Sequence, residues 1–321
     1  MLFNNNKNIT FYSKNYKINY IGILIIIIII ILLYRCLYIN NLDTFVLNVE
    51  QDESSPTTYI ICENFYNVME DYIISFYKKL NAKILTFNTP NEIQKLNKKD
   101  IYIFVKYIHK DQLEQLNEQT NNVYLINTEQ LSILSDKDRL NSYPKYIKIL
   151  DYSKENLKYY NGYYTKFLQY QLNLDEIYNL PKTKDICIMQ PNVSPMSEYR
   201  QKIIDNLKEK NIIVDLLSGW KKERDEKLFT YKILLNIGYS DKHKIFESLR
   251  CDRCIFNKMI VISEKKEDYE NYYFKDYMIF EDYDKIADKT IEVLNNYDMY
   301  YKKLGLDTLD LNKLQFEPVS L

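Results

Sequence analysis

Two α/β domains in tandem, facing each other across a cleft and preceded by a membrane span, is the architecture that three observations predict for this 321-residue chain. Tyr20 to Tyr34 is an uncharged apolar run with seven consecutive isoleucines. From Thr57 onward, short apolar runs alternate with helix-compatible stretches, the pattern of βαβ units and a mostly parallel sheet covered on both faces. Leu168 to Lys184, which contains Leu180-Pro181, interrupts that rhythm, and the alternation then starts again.

Residues 1–19 carry Lys7, Lys14 and Lys17 and no acid, and read as a cytoplasmic tail. The anchor is placed at 20–39: with Arg35 snorkelling to the interface, the segment reaches roughly 20 residues, enough to span a bilayer. No small-x-small cleavage site follows it. Lysines before the run and Asp43, Glu50, Asp52 and Glu53 after it put the N-terminus in the cytoplasm, as in a single-pass type II protein. Residues 40–56 are polar and acidic and read as a stem.

The first domain is expected over 57–167, with strands at 58–63, 83–87, 100–108, 122–127 and 146–150 and a helix at 64–80. A linker takes 168–184. The second domain, 185–297, is expected to carry strands at 185–190, 212–217, 232–237, 259–263 and 277–280 and helices at 196–210, 241–251 and 282–296. Residues 298–321 read as a polar tail.

Composition removes several function classes. Net charge is −1, so no basic excess draws the chain to nucleic acid. The five glycines are scattered, which excludes both the dinucleotide fingerprint and the phosphate-cradling P-loop. Two histidines, His109 and His243, make no multi-histidine metal site, and five cysteines make no even disulfide framework. Cys251 and Cys254 read as thiols on a buried helix face. No metal and no cofactor are expected, and no G-x-S-x-G elbow exists.

In doubly wound sheets ligands bind beyond the carboxyl ends of the strands. In the second half the polar residues at those points are Gln190-Pro191-Asn192, Asn236 to Tyr239, and Ser263-Glu264. The loop after 190 leads into a helix start with Ser194 and Pro195, a ready anion site without glycines. Asn192-Val193-Ser194 is also a glycosylation sequon, which Pro195 makes a poor acceptor. His109 follows a strand of the first half, where a catalytic base could sit.

The stretch "KILLNIGYSDKHKIFESLRCDRCIFNKMIVISE" resembles the donor-binding half of GT-B glycosyltransferases, closest to a branch found in large DNA viruses and some bacteria. "IKILDYSKENLKYY" (147–160) and "SGWKKERDEKLFTYKILLNI" (218–237) fit the same branch, so the likeness runs from about 146 to 297. It implies two Rossmann-like domains, a nucleotide-sugar on the second, an acceptor (glycan, protein or lipid) on the first, and no required metal. It implies that Glu247 holds the ribose and that nearby charges meet the diphosphate. On the expected helix His243, Glu247 and Arg250 fall at i, i+4 and i+7 and share a face. A carboxylate suits two vicinal hydroxyls, and Arg or Lys suits a diphosphate.

On residues alone, Glu247 and Arg250 also fit a plain i, i+3 ion pair. Arg224 and Arg200 are further phosphate candidates, and Arg224 also fits a solvated charged face. Two departures stand out: Tyr239 occupies the place of a second glutamate, and Gly238 that of a histidine frequent in the branch. The sequence therefore reads as a membrane-anchored glycosyltransferase, with a non-catalytic nucleotide- or sugar-binding protein on the same fold as the alternative.

Overall fold

The computed structural model describes residues 56–62, 73, 80–85, 99–116, 122–131, 134–160, 162–164, 178–190, 195–219 and 221–311. The expected tail, anchor and most of the stem at its start, most of helix 64–80, most of the linker, Asn192 and Ser194 lie outside these residues. No helix among the described residues is long and apolar enough to cross a membrane. Pro56–Leu321 packs as one compact unit.

The unit holds two all-parallel sheets. The first contains β1 (Thr58–Ile61), β2 (Lys83–Leu85), β3 (Ile101–Val105), β4 (Val123–Asn127), β5 (Lys148–Asp151) and β6 (Tyr163–Tyr164), in the order β2-β1-β3-β4-β5-β6. The second contains β7 (Lys184–Met189), β8 (Asp215–Leu217), β9 (Tyr231–Asn236), β10 (Ile260–Glu264) and β11 (Ile279–Glu281), in the order β11-β10-β9-β7-β8. Both orders reverse beside the first strand of their sheet, which opens a crevice at the carboxyl ends there.

Side-chain alternation explains why the strands read as continuous apolar runs. Ile103, Val105, Tyr124 and Ile126 pack on one face of the first sheet, and Tyr102, Phe104, Val123 and Leu125 on the other. Both faces are covered, so neither set can be polar.

Seven helices are described: α1 (Lys110–Gln115), α2 (Leu134–Ser142), α3 (Glu198–Glu209), α4 (Lys221–Leu228), α5 (Ser248–Phe256), α6 (Ile286–Asn295) and α7 (Tyr297–Lys303). The amphipathic α5 buries Cys251 and Cys254 against the second sheet, where desolvation raises both thiols.

Several boundaries differ from the sequence reading. The strand expected at 100–108 ends at Val105 because Lys106 turns to φ +72. The strand expected at 212–217 starts only at Asp215. Asn211 (φ +61) closes α3 in the left-handed region, and the Ile212 N–H bonds back to Leu207 O. Regular structure continues past 297 into α7, whose Tyr300 is buried in the core.

The largest difference is at 241–251. Residues 241–247 are not helical, and α5 starts at Ser248. The N–H groups that a helix would need are taken by side chains elsewhere in the fold. Ile245 N–H donates to Gln130 Oε1 (3.2 Å) and Phe246 N–H to Asp268 Oδ1 (2.7 Å). Glu247 is thus the N-cap (φ −88, ψ 70), not an interior helix residue. His243, Glu247 and Arg250 do not share a helix face.

Candidate anion site at the carboxyl edge of the second sheet

Arg200 is the centre of the site. Ser197 caps α3, its Oγ accepting the Arg200 N–H, and so fixes Arg200 in the first turn. The guanidinium reaches across the ends of β7 and β9. Its Nε donates to Ile237 O and its Nη1 to Gln190 Oε1, both at 2.9 Å. Arg200 is 3% exposed, and it forms no ion pair among the described residues. Burial, then the Arg250 charge, pull its pKa down to about 10, against the pull of Glu247, Tyr239 and Glu264. A buried cation held only by neutral acceptors is costly unless an anion arrives.

Glu264, at the end of β10, has both carboxylate oxygens engaged. Tyr199 Oη donates to Oε1 at 2.6 Å, Gly238 N–H to Oε2 at 3.2 Å, and Lys266 Nζ lies 2.8 Å from Oε2. The Glu264 and Lys266 side chains are 8% and 7% exposed. Tyr199 is pushed upward by burial and by its bond to Glu264. A Cβ at Gly238 would stand 2.7 Å from Lys266 Nζ, so the ammonium occupies the space a side chain there would need. Asn236 and Ser263 bond each other beneath (Nδ2 to Oγ, 3.0 Å) and align the strand ends.

Glu247 and Arg250 form an ion pair (2.7 Å), partly exposed at the start of α5. His243 Nδ1 meets Ser240 Oγ at 2.9 Å, and its ring stands edge-on to Tyr239. Burial lowers the His243 pKa; Glu247 opposes the shift, and Lys266, Arg200 and Arg250 add to it. Although no helix face joins them, these residues share one electrostatic neighbourhood.

The structure does not bring Arg224 there. Its guanidinium pairs with buried Asp225, which also holds Arg253 (2.6 and 3.0 Å). Arg253 is in the last turn of α5, which runs down to the start of β10, so this cluster lies at the opposite edge of the sheet. The solvated face read for Arg224 is also not found.

The carboxyl edge of the first sheet meets this region. Gln130, just after β4, accepts the Ile245 N–H, and Ile245 itself is buried in the first sheet's core. Ser153, just after β5, donates to Asp268 Oδ2 at 2.8 Å. A small cavity lies between the edges, lined by Ser153, Phe246, Ser248, Asp268, Asn271 and Tyr272. The Ser248 Oγ on its wall is buried with no hydrogen-bond partner among the described residues.

His109, placed by sequence as a base, is exposed at the start of α1, with its N–H donating to Gln112 Oε1. A different carboxylate stands at this edge. Glu129 Oε1 pairs with Lys106 Nζ at 2.5 Å. Lys106 takes a left-handed backbone, which costs a non-glycine residue about 1–3 kcal/mol. Its N–H bonds Ile126 O, and Arg139 Nη1 donates to its carbonyl.

The Glu129 backbone is fixed as well. Its N–H donates to Asn127 Oδ1, and its carbonyl accepts from Asn127 Nδ2 and Asn156 Nδ2. Both asparagines donate to Asp151, which also accepts from Tyr160 Oη and the Ser153 N–H. Four donors offset part of the cost of burying Asp151, yet desolvation still raises its pKa.

Lys266, Tyr199, Glu129 and Lys106 are absent from the sequence-derived set. The strand-end rule that picked Ser263 and Glu264 also picks Asn127 and Asp151 when applied to "VYLIN" and "KILD" of the first half. Lys266 is two residues past Glu264 in "ISEKK", within reach of the same rule if it is extended beyond the strand.

Fold and site together define a parallel α/β protein of two sheets whose facing carboxyl edges enclose three cations, Arg200, Arg250 and Lys266, and several carboxylates. No family model matches the chain. It belongs to one family with "Uncharacterized protein L140" of Acanthamoeba polyphaga mimivirus, with which it is 34% identical over 250 residues, 75% of this chain and 81% of that protein. It is also 31% identical over 268 residues to "Uncharacterized protein L137" of the same virus, covering 79% of this chain but 36% of that longer relative. Among solved structures, an α1,3-fucosyltransferase aligns with a TM-score of 0.47 and 14% identity, over 79% of this chain and 83% of that one. An α1,3-fucosyltransferase with GDP-fucose aligns at 0.42 and 13% identity, over 84% and 86%. Overlaps this loose identify no equivalent residues.

Proposed function

We propose that the chain is a glycosyltransferase of the GT-B kind that binds a nucleotide-sugar at the carboxyl edge of the second sheet. The observation that carries this is Arg200, a buried guanidinium held by neutral acceptors, with Arg250 in its field and Lys266 beside the same strand ends. A diphosphate supplies the charge that the site lacks, and the capped start of α3 adds its dipole. Glu247, at the cleft rim, is the acceptor for the ribose hydroxyls. Transfer then rests on orienting the donor and stabilising the departing diphosphate. The acceptor binds on the first sheet's edge. Residues 20–39 anchor the chain in a membrane, with the N-terminus in the cytoplasm.

Arg250→Ala tests the assignment. It is expected to weaken a nucleoside diphosphate by roughly 10-fold or more, the worth of one charged hydrogen bond, and to leave the bare nucleoside nearly unchanged. Equal losses for both ligands would reduce the Glu247–Arg250 pair to structure. One observation favours the second reading, a binding protein without turnover: both Glu264 oxygens are already engaged within the fold, by Tyr199, Gly238 and Lys266.

A further inference from the structure

We propose that Glu129 is the carboxylate that takes the proton from the acceptor hydroxyl, and that Lys106 is the positioning residue that holds it. The assignment rests on the donor site proposed above. Its own basis is the geometry of the first sheet's carboxyl edge.

Glu129 sits on the loop after β4, and the next residue, Gln130, touches the second sheet's loop through the Ile245 N–H. That loop also carries His243 and, two residues past Ile245, Glu247. The Gln130–Ile245 contact thus brings the loops that carry Glu129 and Glu247 together where the two sheets meet. The Glu129 side chain is 34% exposed, open enough to meet a substrate, while its backbone is tied at three points to Asn127 and Asn156. Beneath it the Asp151 network is wholly buried. A plain surface ion pair needs no such foundation. Local backbone strain at Lys106, whose ammonium fixes the carboxylate, is what functional positions carry.

The step balances without a metal or redox partner. The acceptor O–H gives its proton to a Glu129 oxygen, and its oxygen electron pair forms the new bond to the anomeric carbon. The bond from that carbon to the diphosphate oxygen breaks, and its electron pair leaves with the diphosphate toward Arg200, Arg250 and Lys266. In such a single displacement the acceptor oxygen attacks the face of the anomeric carbon opposite the departing diphosphate, so the anomeric configuration inverts.

The test uses the full chain in detergent, a panel of UDP- and GDP-sugars scored for release of UDP or GDP, and calorimetry with UDP and GDP. Glu129→Gln is expected to cut kcat by about 10²- to 10⁴-fold, the worth of a general base, while the diphosphate binds within about 2-fold of the parent. Azide or formate should restore part of the rate to Glu129→Ala, and the product should show the inverted anomer by NMR. Lys106→Met should lower kcat at unchanged KM for the donor. A Glu129→Gln rate within about 3-fold of the parent, or a product of retained configuration, overturns the assignment. So does a parent that binds UDP or GDP but transfers from no donor, which leaves Glu129 a structural ion pair. A parent that binds neither diphosphate fails in the calorimetric arm, and that result refutes the donor site itself.

Discussion

Arg200→Met separates a buried arginine kept for structure from one kept for a ligand. Burial, then the Arg250 charge, pull the guanidinium pKa down to about 10, and at about 1.4 kcal/mol per unit holding the charge in the unliganded fold costs a few kcal/mol. Its hydrogen bonds to Ile237 O and Gln190 Oε1 already offset part of the burial cost within that figure. The charge therefore adds no net stability to the unliganded fold. The methionine keeps much of the apolar stem's packing and removes the charge, so unfolding free energy should change by no more than about 2 kcal/mol. Breaking a true buried ion pair would cost about 3–5 kcal/mol. Diphosphate affinity should fall by roughly 10- to 150-fold, the loss of one charged hydrogen bond of 1.5–3 kcal/mol. Urea unfolding and calorimetry with UDP and GDP read the two quantities on one preparation. A variant destabilised by about 4 kcal/mol that still binds as the parent does would refute the reasoning.

Ile245→Ala should destabilise the fold by about 2–5 kcal/mol, since it empties a place in the first sheet's core; urea midpoints at unchanged slope check it. His243→Asn should flatten the acid side of the stability profile. The folded pKa of His243 lies below 6.5, so the unfolded chain binds the proton more readily and the parent loses stability as pH falls below that value. The comparison is clean because the only other histidine is His109; parallel curves from pH 7.5 to 5 would contradict it. Carbonate extraction of membranes should leave the chain in the pellet, and its release would make the isoleucine run something other than a span.

The strands were legible because both faces of each sheet are covered, which forces unbroken apolar runs such as Ile101–Val105 and Met259–Ile262. The site was legible only in part. Helical periodicity in "DKHKIFESLR" is real, but the Ile245 and Phe246 N–H groups go to Gln130 and Asp268, 115 and 22 residues away, and no local pattern announces such partners. Arg224 shows the same limit: its charged surroundings read as solvent-facing, while Asp225 and Arg253 close over it in three dimensions. Arg200 was within reach because a helix start behind a strand end is a positional signal. Its lack of an ion pair among the described residues is a three-dimensional fact. The strain at Lys106 has no sequence signature at all.

The most direct test of the nucleotide-sugar site is thermal stabilisation of the full chain in detergent across a panel of nucleotide-sugars, repeated on Arg200→Met. A donor at a hundred times its dissociation constant should add about 2.7 kcal/mol to the parent, and at the same concentration should add little to the variant. A panel in which no nucleotide-sugar raises the parent's melting temperature, or one that raises parent and variant equally, would contradict the site.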